Sequence, residues 1–227
     1  MITKLRNLAT RLRGMGFRPS QDYLWQRVTW PIQERRLGIR TTGVVRLSEL
    51  GVPTSQHSDY APISFGCLRR ILKRIDIRAG KDVLIDYGSG LGRVVLVAAT
   101  FPLQRVIGVE LSEQLTRGAL DNLANSKDRL KCKDVKFIVT DATQYELPDD
   151  VTIAFFFNPF RGGVLESVYQ RLCDSLDRAP RRLTVVYVHP GEDAERLFKG
   201  EGPFVLREEY NDWYNPGSFG TIMIFNS

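Results

Sequence analysis

The sequence predicts an α/β fold: a doubly wound, mostly parallel seven-stranded sheet whose last strand is antiparallel, with an N-terminal helical extension. Three observations lead there. From Val83 onward, short β-branched apolar runs alternate with longer helical patterns, the signature of βα units and of a parallel sheet covered on both faces. A glycine cluster, Gly88-Ser89-Gly90-Leu91-Gly92, separates the first run from the apolar stretch that follows, as a tight strand-to-helix turn does. Between Phe204 and Phe225 two strand patterns follow one another with no helix between them, and strands joined so closely pair antiparallel.

The first element is a basic amphipathic helix. Ile2, Leu5, Leu8, Leu12 and Met15 fall near one helical face, Lys4, Arg6, Arg11 and Arg13 lie mostly elsewhere, and no acid precedes Asp22. Such a helix lies on an anionic membrane surface, contacts a partner, serves as an organelle transit peptide, or docks on its own domain. Tyr23, Leu24, Trp25, Val28, Trp30 and Leu37 suggest a second helix, interrupted at Pro31. Gly43, Gly51 and Pro53 mark a loop, and an amphipathic helix over 65–75 opens the main domain. The chain therefore divides into a basic helical extension, 1–55, and a domain, 56–227. Strands are expected at 83–87, 105–109, 135–139, 151–157, 183–188, 204–210 and 220–225. Helices are expected near 91–101, 112–125, 162–177 and 191–199, with Ser112 as an N-cap.

Composition narrows the class. The 227 residues suffice for one α/β domain and its extension. The net charge of +6 is uneven: residues 1–46 hold ten Lys/Arg and two acids, so the remainder sums to −2. The basic balance belongs to the extension and argues against a nucleic-acid partner for the domain. Cys67, Cys132 and Cys173 show no paired spacing, and His57 and His189 are the only histidines; this argues against a disulfide framework and against a metal site. A reducing cytoplasm is the expected compartment, with the basic helix offering a peripheral membrane contact. No apolar run approaches a membrane span or a secretory signal.

The glycine cluster points to chemistry. Glycines let a ligand approach the backbone, and the helix start beyond them offers free N–H groups to an anionic moiety. A dinucleotide fingerprint requires Gly-x-Gly-x-x-Gly. Here Arg93 stands where the third glycine would fall, and Gly92 comes one residue early, so the spacing disfavours a dehydrogenase. In open α/β sheets ligands sit beyond the carboxyl ends of the strands. Those ends carry Asp86, Glu110, Asp141, Asn158 and His189. Glu110 stands where an acid accepts both ribose hydroxyls; the other reading is helix-start chemistry ahead of Ser112. His189 is either a general base for transfer to oxygen or a structural histidine.

Asp86 with Gly88-Ser89-Gly90-Leu91-Gly92 resembles motif I of the class I S-adenosylmethionine-dependent methyltransferases. The resemblance implies a seven-stranded Rossmann-like sheet with a reversed last strand and a bound S-adenosyl-L-methionine. Asp86, Gly88, Ser89, Gly90 and Gly92 would hold its methionine end. Asp141 resembles the family acid that accepts from the adenine amino group, with the Ala142 N–H beside it; a plain turn aspartate is the alternative. Phe157-Asn158-Pro159-Phe160 resembles the Asn-Pro-Pro-Tyr motif IV of amine methyltransferases, one residue short. It implies that Asn158 positions the target nitrogen and Phe160 packs on the target; an Asn-Pro turn after a buried strand is the other reading. Tyr60-Ala61-Pro62-Ile63-Ser64 resembles a segment of the non-SET histone lysine methyltransferases that closes over the cofactor, which would make Tyr60 a cover. The expected function is methyl transfer to an amine acceptor, a protein lysine among them. The alternatives are an O-methyltransferase acting on a lipid, sugar or secondary metabolite, and a non-catalytic binding module on the same fold.

Overall fold

The computed structural model describes residues 28–51, 55–211 and 221–227, so the expected basic helix near the N-terminus lies outside the described residues. Seven strands, β1 (Val83–Tyr87), β2 (Arg105–Glu110), β3 (Asp134–Val139), β4 (Ile153–Phe157), β5 (Thr184–Val188), β6 (Val205–Asn211) and β7 (Thr221–Asn226), form one sheet. Its order is β3-β2-β1-β4-β5-β7-β6. The first five strands are parallel, and β7 is antiparallel to both β5 and β6. The last strand in sequence is thus the reversed one, inserted between β5 and β6 rather than added at the rim. β1 and β5 are buried along their whole length, whereas β3 and β6 at the two edges are largely exposed or half-buried. Covering both faces of the middle strands is what makes them read as unbroken apolar runs.

The helices are α1 (residues 28–37), α2 (Phe65–Arg74), α3 (Arg93–Ala98), α4 (Glu113–Ser126), α5 (Gly162–Arg178) and α6 (Glu192–Lys199). On one face of the sheet α2 and α3 bury Phe65, Leu68, Val95 and Leu96 together with Leu37 and Ile39 from the N-terminal segment. On the other face α5 and α6 bury Leu165, Val168, Leu172 and Phe198 against Tyr87, Phe156 and Tyr187. Those last three aromatics occupy one register line across β1, β4 and β5. Their rings stack at 5.1 Å and 5.2 Å between centroids, with interplanar angles of 12° and 6°.

Two helices differ from expectation. α1 is not interrupted at Pro31 but runs through it. A proline crowds only the carbonyl four residues back, here that of residue 27, outside the described residues. α3 has six residues rather than the stretch expected over 91–101. It starts only after Gly92, and its far end is claimed from elsewhere: the Ala99 carbonyl accepts from the N–H groups of Lys131 and Cys132, both at 2.9 Å. Ser112 does cap α4, accepting from the Leu115 N–H at 3.3 Å. Among the described residues, no helix is long and apolar enough to cross a membrane, and no group of three or more His, Cys, Asp or Glu is placed to hold a metal ion.

Candidate active site

The turn after β1 sits where the strand order reverses, between β2 and β4. The Gly88 and Ser89 N–H groups both donate to the Val109 carbonyl, which folds the turn back over β2. Gly88 and Gly90 adopt φ of 73° and 53°, a region that side chains strain to enter. Neither position has room for one: a Cβ on Gly88 would lie 2.7 Å from Pro159 Cβ, and a Cβ on Gly90 would collide with the Tyr60 ring. Beyond this loop lies a cleft of about 840 Å³, counting its open mouth, lined by Tyr60, Asp86, Gly88, Ser89, Glu110 and Ala142 among others.

Two carboxylates dominate the electrostatics. Glu110 is buried, and each of its oxygens accepts one backbone N–H, from Gly90 at 2.8 Å and from Ser112 at 2.9 Å. Burial pushes its pKa up and these N–H groups hold it back. Asp86 is 2% exposed. Its pKa is raised well above the usual carboxylate range, by burial first and by the charge of Glu110 second. The Ser89 hydroxyl is buried in the same wall without a hydrogen-bond partner.

A strap, residues 55–64, crosses the open ends of β1 and β4. Ser58 N–H donates to the Pro159 carbonyl and Arg161 N–H to that of Gln56, both at 2.9 Å. Isolated antiparallel bridges pair His57 with Phe160 and Tyr60 with Val45. Tyr60 is held over Gly90 by its hydroxyl, which donates to the Thr41 carbonyl at 2.6 Å. Burial raises its phenol pKa and keeps it neutral. Arg93, the first residue of α3, ties this segment to the glycine loop. It is 2% exposed and donates to Thr41 Oγ1 (2.8 Å), the Ile63 carbonyl (2.9 Å), Thr42 Oγ1 (2.9 Å) and Glu34 Oε1 (3.2 Å). Its guanidinium carbon lies 4.3 Å and 4.2 Å from the ring centroids of Trp30 and Phe65. Burial lowers its pKa to about 10.

The structure brings Tyr60, Asp86, Gly88, Ser89, Glu110, Ala142 and Phe160 to one cleft, with Gly90 and Gly92 in its loop. It separates three others. Asp141 follows β3; its Oδ1 accepts from the Thr143 N–H at 2.8 Å, and the residue borders the adjoining cavity beside Gln56 and Arg171. Asn158, at φ 41°, lines a different cavity, which shares Phe160 with the cleft. The His189 ring lies edge-on to Phe157, and the residue's backbone N–H donates to the Thr221 carbonyl; the histidine that lines the cleft is His57. Phe160 is 3% exposed, and its ring meets those of Tyr87 and Phe156 edge-on. It is therefore a wall of the cleft and not a free stacking platform. Sequence reasoning missed Arg93 and His57. The one signal for Arg93 was a charge at the head of a helix that is otherwise wholly apolar.

Comparison with known proteins agrees with this geometry. The family profile described as Histone methylation protein DOT1 matches residues 54–150. A protein-lysine N-methyltransferase of Saccharolobus islandicus (strain REY15A) is 32% identical over 68 residues, 30% of this chain. The chain spans only 42% of that relative's length. An RNA methyltransferase from Salinibacter ruber in complex with S-adenosyl-L-homocysteine superposes with a TM-score of 0.51 at 22% identity, covering 73% of this chain and 93% of the other. A precorrin-6y C5,15-methyltransferase from Geobacter metallireducens GS-15 does so with 0.53 at 17% identity, covering 73% and 88%. At such identities the structural likeness speaks for the fold. By its sheet order and these structural matches, the chain has the Rossmann-like fold shared by these class I methyltransferases.

Proposed function

We propose that the cleft binds S-adenosyl-L-methionine and that the protein transfers its methyl group to an amine, with a protein lysine as the acceptor class. The observation that carries the reading is the convergence of Asp86, Ser89 and Glu110 beneath a strap that packs on the glycine loop. Three features support the fit. Each Glu110 oxygen keeps lone pairs beyond its one backbone N–H, enough for two ribose hydroxyls. The Ser89 hydroxyl is buried and awaits a partner. Burial raises the pKa of both Asp86 and Glu110, and a ligand of net positive charge would favour their ionised forms. The DOT1 match and the archaeal protein-lysine relative support the amine acceptor.

When bound, the cofactor supplies a methyl group already activated on a sulfonium. The protein then has to align donor and acceptor and keep water out. Glu110 would orient the ribose, and the strap with Tyr60 would shield the cofactor. The acceptor amine loses its proton before or during transfer, to water or to a nearby oxygen.

The test is transfer of labelled methyl from S-adenosylmethionine to a lysine-rich protein, bovine serum albumin, and to poly-L-lysine. The expected result is lysine methylation that S-adenosylhomocysteine inhibits. Binding of S-adenosylhomocysteine with no methylation of either amine acceptor would instead favour the binding-module reading.

A further inference from the structure

We propose that the outward face of α1, with the basic corner it forms at the C-terminal end of α4, docks on an anionic lipid bilayer. The inward face of α1 is taken up by the domain. Trp30 lies edge-on to Phe65, Leu37 is buried in the core, and Glu34 pairs with Arg93 at 3.2 Å. The outward face carries Val28, Pro31, Ile32, Arg35 and Arg36, all exposed. Their spacing of three and four residues places them on one stripe. Glu34 points inward, so the stripe carries no acid.

Val28 is 62% exposed and Ile32 47%. A single exposed aliphatic residue is ordinary. Here two stand one turn apart, with two arginines on the next turn. A helix lying at a membrane interface has this make-up. Its apolar side chains enter the acyl boundary, and its long cationic ones reach the headgroups.

The positive charge continues past α1. The Arg40 N–H donates to Asn122 Oδ1 at 2.7 Å, and the Asn122 amide donates to the Arg40 carbonyl at 3.1 Å. This clasp joins the end of α1 to α4, so closely that a Cβ on Gly38 would collide with the Arg129 guanidinium. Arg40, Lys127, Arg129 and Lys133 are exposed there, and Lys133 Nζ donates to the Lys127 carbonyl at 3.0 Å. With Arg35 and Arg36 they are cations without an ion pair among the described residues. Asp121 and Asp128 are the exposed acids beside them in sequence, and Asp134 is spent on Lys136 at 3.7 Å. Residues 1–27, which lead into α1, add six Lys/Arg against Asp22 alone. A nucleic acid would match these cations but leave Val28 and Ile32 in water. An anionic bilayer accepts both, the cations at its headgroups and the aliphatic pair at its hydrocarbon boundary.

The test sediments the full chain with vesicles of phosphatidylcholine alone and of phosphatidylcholine and phosphatidylserine in equal parts. A parallel arm measures binding to polyuridylate. The chain should pellet with the anionic vesicles only, and about 1 M salt should release it, because charges are then screened within about 3 Å. Arg35→Gln with Arg36→Gln should weaken anionic-vesicle binding about tenfold or more, as should Arg40→Gln with Arg129→Gln on the neighbouring corner. Val28→Ser with Ile32→Ser should weaken it at least threefold. All six side chains are exposed, so the fold is not at stake. Equal sedimentation with both vesicles, or with neither, overturns the proposal. Unchanged binding by the Arg35/Arg36 variant assigns any affinity to residues 1–27 and overturns it as well. Tighter binding to polyuridylate than to the anionic vesicles, or no effect of the Val28/Ile32 variant, overturns the choice of a bilayer.

Discussion

Asp86 shows what one position is asked to do. Its folded pKa lies above the ordinary carboxylate value, so the native chain holds that proton more tightly than the unfolded one. Stability then falls as pH rises from the ordinary carboxylate range through the raised folded value, and the loss is complete above it. Asp86→Asn removes the loss. Its melting temperature at neutral pH should rise by about 2–4 °C, the effect of ~1 kcal/mol in a chain of this size, and the decline with pH should flatten. Its affinity for S-adenosylhomocysteine should drop more than tenfold. Scanning calorimetry across pH with a parallel titration checks both, and a lower melting temperature would count against the burial argument. Asp86 and Glu110 were legible because they stand at the carboxyl ends of their strands, Asp86 next to last in β1 and Glu110 last in β2, and the sequence places strand ends directly. Arg93 was not: its partners Glu34, Thr41, Thr42 and Ile63 come from a stretch of thirty-odd residues whose path no local pattern states. Asp141 was placed correctly along the chain, but which way its carboxylate turns was settled by the Thr143 N–H.

At the scale of elements, strands were the easiest to foresee and the N-terminal segment the hardest. β1, β4 and β5 are apolar runs because helices cover them on both sides. α3 was overestimated because two amides from residues 131 and 132 take the Ala99 carbonyl, a long-range claim that helical periodicity cannot register. The stretch after Gly38 looked like plain loop, yet Val45 in it forms a bridge with Tyr60, which sits on Gly90. Its anchorage can be measured. Arg93→Met should raise hydrogen exchange of the Val45 and Tyr60 amides, which bond across the bridge, at least tenfold. The amides of β1 should stay unchanged. Equal loosening of both would mean that Arg93 supports the whole domain and not the strap.

For the molecule as a whole, the α/β class and the reversal of the last strand followed from the order of elements. The insertion of β7 between β5 and β6 did not, because connectivity alone does not say which side of a neighbour a strand joins. Ligand binding should register globally. A compound that binds only the native state stabilises it by about 2.7 kcal/mol at one hundred times its Kd, or roughly 5–11 °C here. S-Adenosylhomocysteine should produce that rise in a thermal scan, and NADH should not; the opposite pattern would sink the cofactor assignment. The stacked rings of Tyr87, Phe156 and Tyr187 bear on how any such compound gets in. They act as a key driven crosswise through three strands, since sliding one strand past the next would shear two ring faces apart. The sheet is therefore a stiff anvil, and any breathing that admits a guest falls to the strap over residues 55–64, which no such stack pins.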